Sequence, residues 1–120
     1  MMSAPLRFMW IDTHSAISRK TQNCHVSNAA IVAQHNSASC GNKVGGIVGY
    51  AGNADTLVKD CTVANSTIVA DRDAGQVVGA AKEANVENCS ANNVTVSAAE
   101  GCTDEDAGKN VRNEIIGRVL

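Results

Sequence analysis

Three pentapeptides decide the fold of this chain: CHVSN at residues 24–28, CTVAN at 61–65 and CSANN at 89–93. Each begins with cysteine, ends with asparagine, and leads into a short apolar run at matching offsets. The equivalent apolar residues are Ile31, Ile68 and Val96, followed by Ala33, Ala70 and Ala98. The same residue types recurring in register are typical of stacked structural repeats.

A second repeated element, bounded by glycine, lies between the cysteine blocks. VGGIVGYA at residues 44–51 aligns with AGQVVGAA at 74–81, and EIIGR at 114–118 repeats the centre once more. One repeat unit therefore contains a glycine-bounded apolar pair, a turn, a cysteine block, an apolar strand and a loop. Short strands rich in Val, Ile and Thr and joined by sharp bends predict an all-β β-solenoid of about three to four turns.

In a solenoid, like residues stack in columns because successive turns lie about 4.8 Å apart. We expect an amide ladder, a column of glycines at tight bends, and a column of thiols in the interior. The ladder is Asn28, Asn65 and Asn93; the glycines are Gly49, Gly79 and Gly117; the thiols are Cys24, Cys61 and Cys89. These residues are therefore explained by architecture rather than by chemistry.

Composition narrows the classes of protein that fit. The chain has 120 residues, enough for one domain, and contains a single Phe, a single Trp and a single Tyr. A net charge of −2 argues against nucleic-acid binding. No apolar run approaches the roughly 20 residues that span a bilayer, so we expect no membrane insertion. Residues 1–20 lack the pattern of a signal peptide.

Two insertions distinguish the outer units from the middle one, around residues 35–43 and 101–110. Cys40 and Cys102 lie in them, and in an odd set of five cysteines they are the pair that we expect to form a disulfide. Insertions on the same side of successive units form loops on one face, which is often the binding face. We assign residues 1–19 to a degenerate N-terminal capping turn and 20–120 to the repeats.

The repeat resembles the GLUG family, on the residues GGIVGY at 45–50 and VKDCTV at 58–63. Asn23-Cys24, Asp60-Cys61 and Asn88-Cys89 match the Asn-Cys pair of that motif. The resemblance implies a right-handed parallel β-helix from a bacterial surface or secreted protein, often adhesin-like, and therefore an extracellular or cell-surface location. Gln76 replaces the second glycine of the motif, and the last unit departs further, so we expect an irregular final turn.

Residues that could bind a metal ion occur in two places. The zinc candidates are Cys24, His25, His35 and Cys40, and the calcium candidates are Asp71, Asp73 and residues 104–106. The first set lacks the close cysteine pairs of zinc sites, and the second lacks an EF-hand or a glycine-aspartate series. We expect no metal ion and no cofactor.

Enzymatic activity is not expected, because no motif of a known catalytic site is present. The first hypothesis is a non-enzymatic structural or adhesive module whose partner is a host glycan or matrix protein. The alternative is a small carbohydrate-binding or carbohydrate-active β-helix, which paired carboxylates in a groove would favour. Unpaired strand edges at residues 115–120 further predict homodimers that stack end to end.

Overall fold

The computed structural model describes residues 19–33 and 43–120. Every regular secondary-structure element in these ranges is a β-strand. The first five strands are β1 (Arg19–Gln22), β2 (His25–Ser27), β3 (Ala30–Ala33), β4 (Lys43–Val44) and β5 (Val48–Gly52). The next four are β6 (Thr56–Lys59), β7 (Thr62–Ala70), β8 (Asp73–Ala74) and β9 (Val78–Lys82). The last three are β10 (Asn85–Glu87), β11 (Ser90–Ala98) and β12 (Ile116–Val119). The fold is therefore all-β, as predicted. In the described residues no helix is long and apolar enough to cross a membrane.

The described strands form four sheets, and every pairing between them is parallel. The sheet orders are β1-β6-β10, β4-β8 and β5-β9-β12, while β7 pairs with β11 on one side and with β2 and β3 on the other. Each strand from β6 to β9 therefore pairs with its counterpart in the preceding unit. Three successive units contribute strands in the same order, and the second unit lies between the first and the third.

The third unit is the least regular of the three. In place of a counterpart to β4 and β8 it has a single bridge, from Val111 to Ala74. The sequence departs from the repeat at the same place, where the insertion at 101–110 precedes β12. The expected irregularity of the final turn is therefore present.

The core consists of small apolar side chains that stack in columns. Ile31, Ile68 and Val96 are in register, and all three are buried. Val58 and Val63, in β6 and β7 of the middle unit, are also buried. Because neighbours in a column have similar volume, a narrow interior is filled without aromatic rings.

Several sequence predictions concern residues outside the described ranges. The N-terminal capping turn falls almost entirely there, since the description begins at Arg19, the first residue of β1. Most of the first insertion, with His35 and Cys40, lies outside as well. These predictions stay predictions.

Candidate functional site

The predicted asparagine ladder lies at a corner of the chain where the backbone is left-handed. Asn28, Asn65 and Asn93 have φ values of 57°, 51° and 57°. Asn93 donates its side-chain amide to Oδ1 of Asn65 in the preceding unit at 3.0 Å. Asparagine suits such a corner because its short polar side chain tolerates the left-handed region and bonds locally.

A second ladder, which sequence reasoning missed, precedes the cysteines. Asn23, Asp60 and Asn88 also have left-handed backbones, with φ values of 55°, 56° and 49°. Asn88 donates its amide to Oδ1 of Asp60. The signal was the Asn or Asp before each cysteine, which the sequence analysis used only as a mark of family resemblance.

The three thiols that follow this ladder occupy equivalent positions in successive units. Cys61 is fully buried, whereas Cys24 and Cys89 are half-buried, and all three are free. Each donates to the carbonyl oxygen two residues before it, at 3.5 Å for Cys24 and 3.3 Å for Cys61 and Cys89. Burial raises the pKa of the Cys61 thiol to about 11; a backbone hydrogen bond with Cys24 partly opposes the rise, and the charges of the Cys24 and Cys89 thiolates add to it. Cys61 is therefore held as an unreactive thiol.

The glycine column is present in the pairing register, but its conformation differs from the expectation. Gly49, Gly79 and Gly117 lie within β5, β9 and β12, so their placement at tight bends was wrong. A Cβ on Gly79 would lie 2.5 Å from Val44 N and 2.6 Å from Gly49 O. Glycine is required there because the backbones of neighbouring segments approach too closely for any side chain.

Of the predicted disulfide pair, only Cys102 can be placed. It is disulfide-bonded. Cys40 lies outside the described residues, so the pairing of these two cysteines stays a prediction.

The insertion that contains Cys102, and the residues just after it, lie against β8, β11 and the bend between β7 and β8. Asn113 Oδ1 accepts from the backbone N of Val96 at 2.6 Å, and Gly108 N donates to Asp71 O at 2.6 Å. The backbone N of Ala74 donates to Asn110 O at 2.9 Å. This segment therefore covers strand edges, a role that the sequence analysis, which expected a binding loop, did not foresee.

Two of the acidic candidates for calcium binding, Asp73 and Asp106, contact cationic groups. Asp73 is buried, with Oδ2 3.5 Å from an Arg118 guanidinium nitrogen and Oδ1 accepting from the Asn110 amide at 3.0 Å. Asp106 lies 3.2 Å from Arg72 and 3.3 Å from Lys109. Within the described ranges, no three His, Cys, Asp or Glu side chains are grouped so that they could hold a metal ion.

Two open depressions lie beside each other on the sheet β5-β9-β12, and no sequence pattern pointed to them. One, of about 510 Å³, is lined by Lys43, Tyr50, Lys82, Arg118 and Leu120. The other, of about 390 Å³, shares Tyr50 and Lys82 and is completed by Asn53, Ala54 and Glu83. We call this surface the basic patch; its residues come from all three units, so only stacking brings them together.

Comparison with known families matches residues 41–69 to the GLUG motif. The chain carries a GLUG motif. The matched segment includes the glycine-bounded element of the first unit and the cysteine block of the second. No curated protein and no solved structure matches the chain. The relation of the other units to the motif rests on their pairing register with the matched one.

Proposed function

We propose that this GLUG-motif chain is a short right-handed parallel β-solenoid that acts as a non-enzymatic structural or adhesive module of a bacterial surface or secreted protein. One observation supports the solenoid most directly: each strand of the second unit, β6 to β9, pairs in parallel and in register with its counterpart in the first unit. The GLUG match supports the repeat character of the chain.

The recurring polar residues form hydrogen bonds within the stack, which supports a structural module rather than an enzyme. Asn93 donates a hydrogen bond to Asn65, and the buried Cys61 thiol lies 3.6 Å from the carbonyl oxygen of Thr21 in the preceding unit, to which it donates. Asp60 and Asn88 form the second ladder. These side chains hold one unit on the next, which is the task of a repeat that cannot bury its apolar face alone.

The basic patch supports the adhesive half of the proposal and an alternative of carbohydrate binding. The two depressions of the basic patch have volumes within the range of about 300–1,000 Å³ that is usual for ligand sites. It presents one aromatic ring among polar and cationic side chains, an arrangement that suits recognition of a polar polymer. The proposed partners are a host glycan or a matrix protein.

The test is binding of the purified, folded chain to an array of glycans and host matrix proteins. Saturable binding to at least one of them is expected. A blank array from folded protein would remove the adhesive role and leave a spacer. Release of new reducing ends from any bound glycan would contradict the non-enzymatic assignment, and a structure with left-handed connections between the units would contradict the solenoid.

A further inference from the structure

The basic patch has a defined shape, set by the strand register. Tyr50 of β5 and Arg118 of β12 lie on either side of Ala80 of β9 in the same row. Ala80 is fully buried, whereas Tyr50 and Arg118 are half-buried. Two long side chains therefore flank a small one and cover it.

Three cations from different units line the two depressions. Lys43 and Arg118 line the larger depression, and Lys82, which ends β9, lines both. The Lys43 ammonium lies 5.6 Å from the centroid of the Tyr50 ring, a cation–π distance. Three positive charges and the Tyr50 side chain thus line the same pair of depressions.

The positive charge of the patch is only partly neutralised. Arg118 contacts the buried carboxylate of Asp73 at 3.5 Å, and the carboxylate of Glu83 lines the smaller depression together with Lys82. Within residues 19–33 and 43–120, Lys43 and Lys82 belong to none of the ion pairs. In a chain of net charge −2, such a cluster concentrates positive potential on one face. A negatively charged ligand would relieve the mutual repulsion of the cations.

From this arrangement we infer that the basic patch binds an anionic polysaccharide, one that carries carboxylate or sulfate groups. Ammonium and guanidinium groups form strong charge-assisted hydrogen bonds with such oxygens. Tyr50 lines both depressions and adds aromatic surface against which a sugar ring can pack. Both depressions are open and adjacent, so a polymer can pass across them. The inference rests on the adhesive part of the proposed function and names its ligand class and site.

The experiment is calorimetric titration of the full chain with four polymers and one ion. The polymers are a polyuronate, a sulfated polysaccharide, a neutral polysaccharide of similar size and polyglutamate, and the ion is inorganic sulfate. Binding is expected for the polyuronate, the sulfated polysaccharide or both, which identifies the anionic group. The neutral polymer is expected not to bind.

Charge-reversal variants locate the binding. Lys82→Glu is expected to weaken binding by about tenfold or more, because it removes a charge-assisted contact and repels the ligand. Lys20→Glu is the matched control: Lys20 is exposed on β1, in a different sheet. It makes the same change in net charge and is expected to weaken binding by less than roughly threefold. Lys43→Gln provides a second probe of the patch, and far-ultraviolet circular dichroism checks that each variant folds.

Four results would overturn the inference. They are no binding of either anionic polysaccharide, binding of the neutral polymer with equal affinity, equal losses from Lys82→Glu and Lys20→Glu, and tighter binding of polyglutamate or free sulfate. An array hit on another glycan or a matrix protein that Lys82→Glu leaves unchanged would overturn this site while the adhesive function stands.

Discussion

Asn93 donates its side-chain amide to the Asn65 side chain in the unit before it, across a corner where both residues have left-handed backbones. One residue type thereby meets two demands of the corner. It tolerates a positive φ that most residues avoid, and it links successive units through a hydrogen bond between side-chain amides. The same pairing recurs between Asn88 and Asp60 at the corner before the cysteines.

The ladder predicts that Asn65→Ala lowers the free energy of unfolding by about 1–3 kcal/mol, because alanine is strained at a φ of 51° and cannot bond to Asn93. Asn65→Gly keeps the backbone free to adopt this φ, so its loss should be smaller. Urea denaturation followed by circular dichroism measures both variants.

The matched control for the ladder is Asn92→Ala, an exposed position next to Asn93 that is absent from the residues with positive φ. Its effect is expected to lie within about 0.5 kcal/mol. If Asn65→Ala and Asn92→Ala cost the same, the ladder does not stabilise the stack.

The glycine column predicts a larger effect for Gly79→Ala. The added methyl group would overlap backbone atoms of Val44 and Gly49, which cannot move without separating the units. We expect a loss of about 3 kcal/mol or more, or failure to fold. Gly108→Ala is the comparison, since its Cβ would be 3.4 Å from Ala98 and the cost comes from a φ of +74°. The cost of Gly108→Ala should be about 1 kcal/mol. If Gly108→Ala destabilised the protein more than Gly79→Ala, the close approach of the Val44 and Gly49 backbones to Gly79 would be contradicted.

The buried carboxylate of Asp73 predicts a role for Arg118 in stability. Arg118→Met leaves Asp73 without its cation and should lower the free energy of unfolding by about 1–3 kcal/mol. Adding Asp73→Asn to this variant should restore part of the loss. Arg112→Met is the control, because its pair with Glu114 is exposed and 4.0 Å long, and about 0.5 kcal/mol or less is expected. Thermal denaturation that ranks the two single variants equally would contradict the role of Arg118.

The exposed end of the third unit predicts self-association. Val119, at 74% exposure, is the last residue of β12, and Leu120, at 46%, follows it; β12 pairs on one side with β9. The wild-type protein is expected to form dimers, and Val119→Lys should lower the dimer fraction in sedimentation velocity, because charged edge residues oppose strand pairing. Val32→Lys, at an apolar residue of 62% exposure in β3, should leave the distribution unchanged. A wild-type protein that stays monomeric at high concentration would contradict end-to-end stacking.

The sequence predicts the columns well because each depends on identical residues at identical offsets. Ile31, Ile68 and Val96 stack as their spacing indicates. The glycine bends were wrong because sequence alone does not separate the two uses of glycine, a positive φ and a close approach of backbones. Gly79 has the second use.

The basic patch could not be predicted, for a related reason. Lys43, Lys82 and Arg118 are not equivalent in the repeat, so no periodicity connects them. They come together only because the three units stack. Repeat patterns thus reveal what is common to the units, while a candidate site depends on what differs between them.

The cysteines predict a distinctive thiol count. Cys24, Cys61 and Cys89 are free, and Cys102 is disulfide-bonded. If Cys40 is its partner as predicted, the unreduced, denatured protein should contain three reactive thiols, and peptide mapping should recover a fragment that joins Cys40 and Cys102. Five reactive thiols under the same conditions would contradict the disulfide.

The buried thiol of Cys61 predicts a loss of stability at alkaline pH. Its pKa is raised from 9.0 to about 11 in the folded chain, so between these values the unfolded chain releases a proton that the folded chain retains. The contribution is therefore complete below pH 9 and is lost as pH rises toward 11. Two pKa units correspond to a loss of about 2 to 3 kcal/mol.

Urea denaturation at several values between pH 8 and pH 11 measures this contribution against a Cys61→Ala variant, which lacks the thiol but keeps the other alkaline titrations. The free energy of unfolding should fall more steeply for the wild type. In the folded wild type, a thiol reagent should also modify Cys61 more slowly than the half-buried Cys24 and Cys89. Parallel pH curves for the two proteins would show that Cys61 is not held as a protonated thiol within the stack.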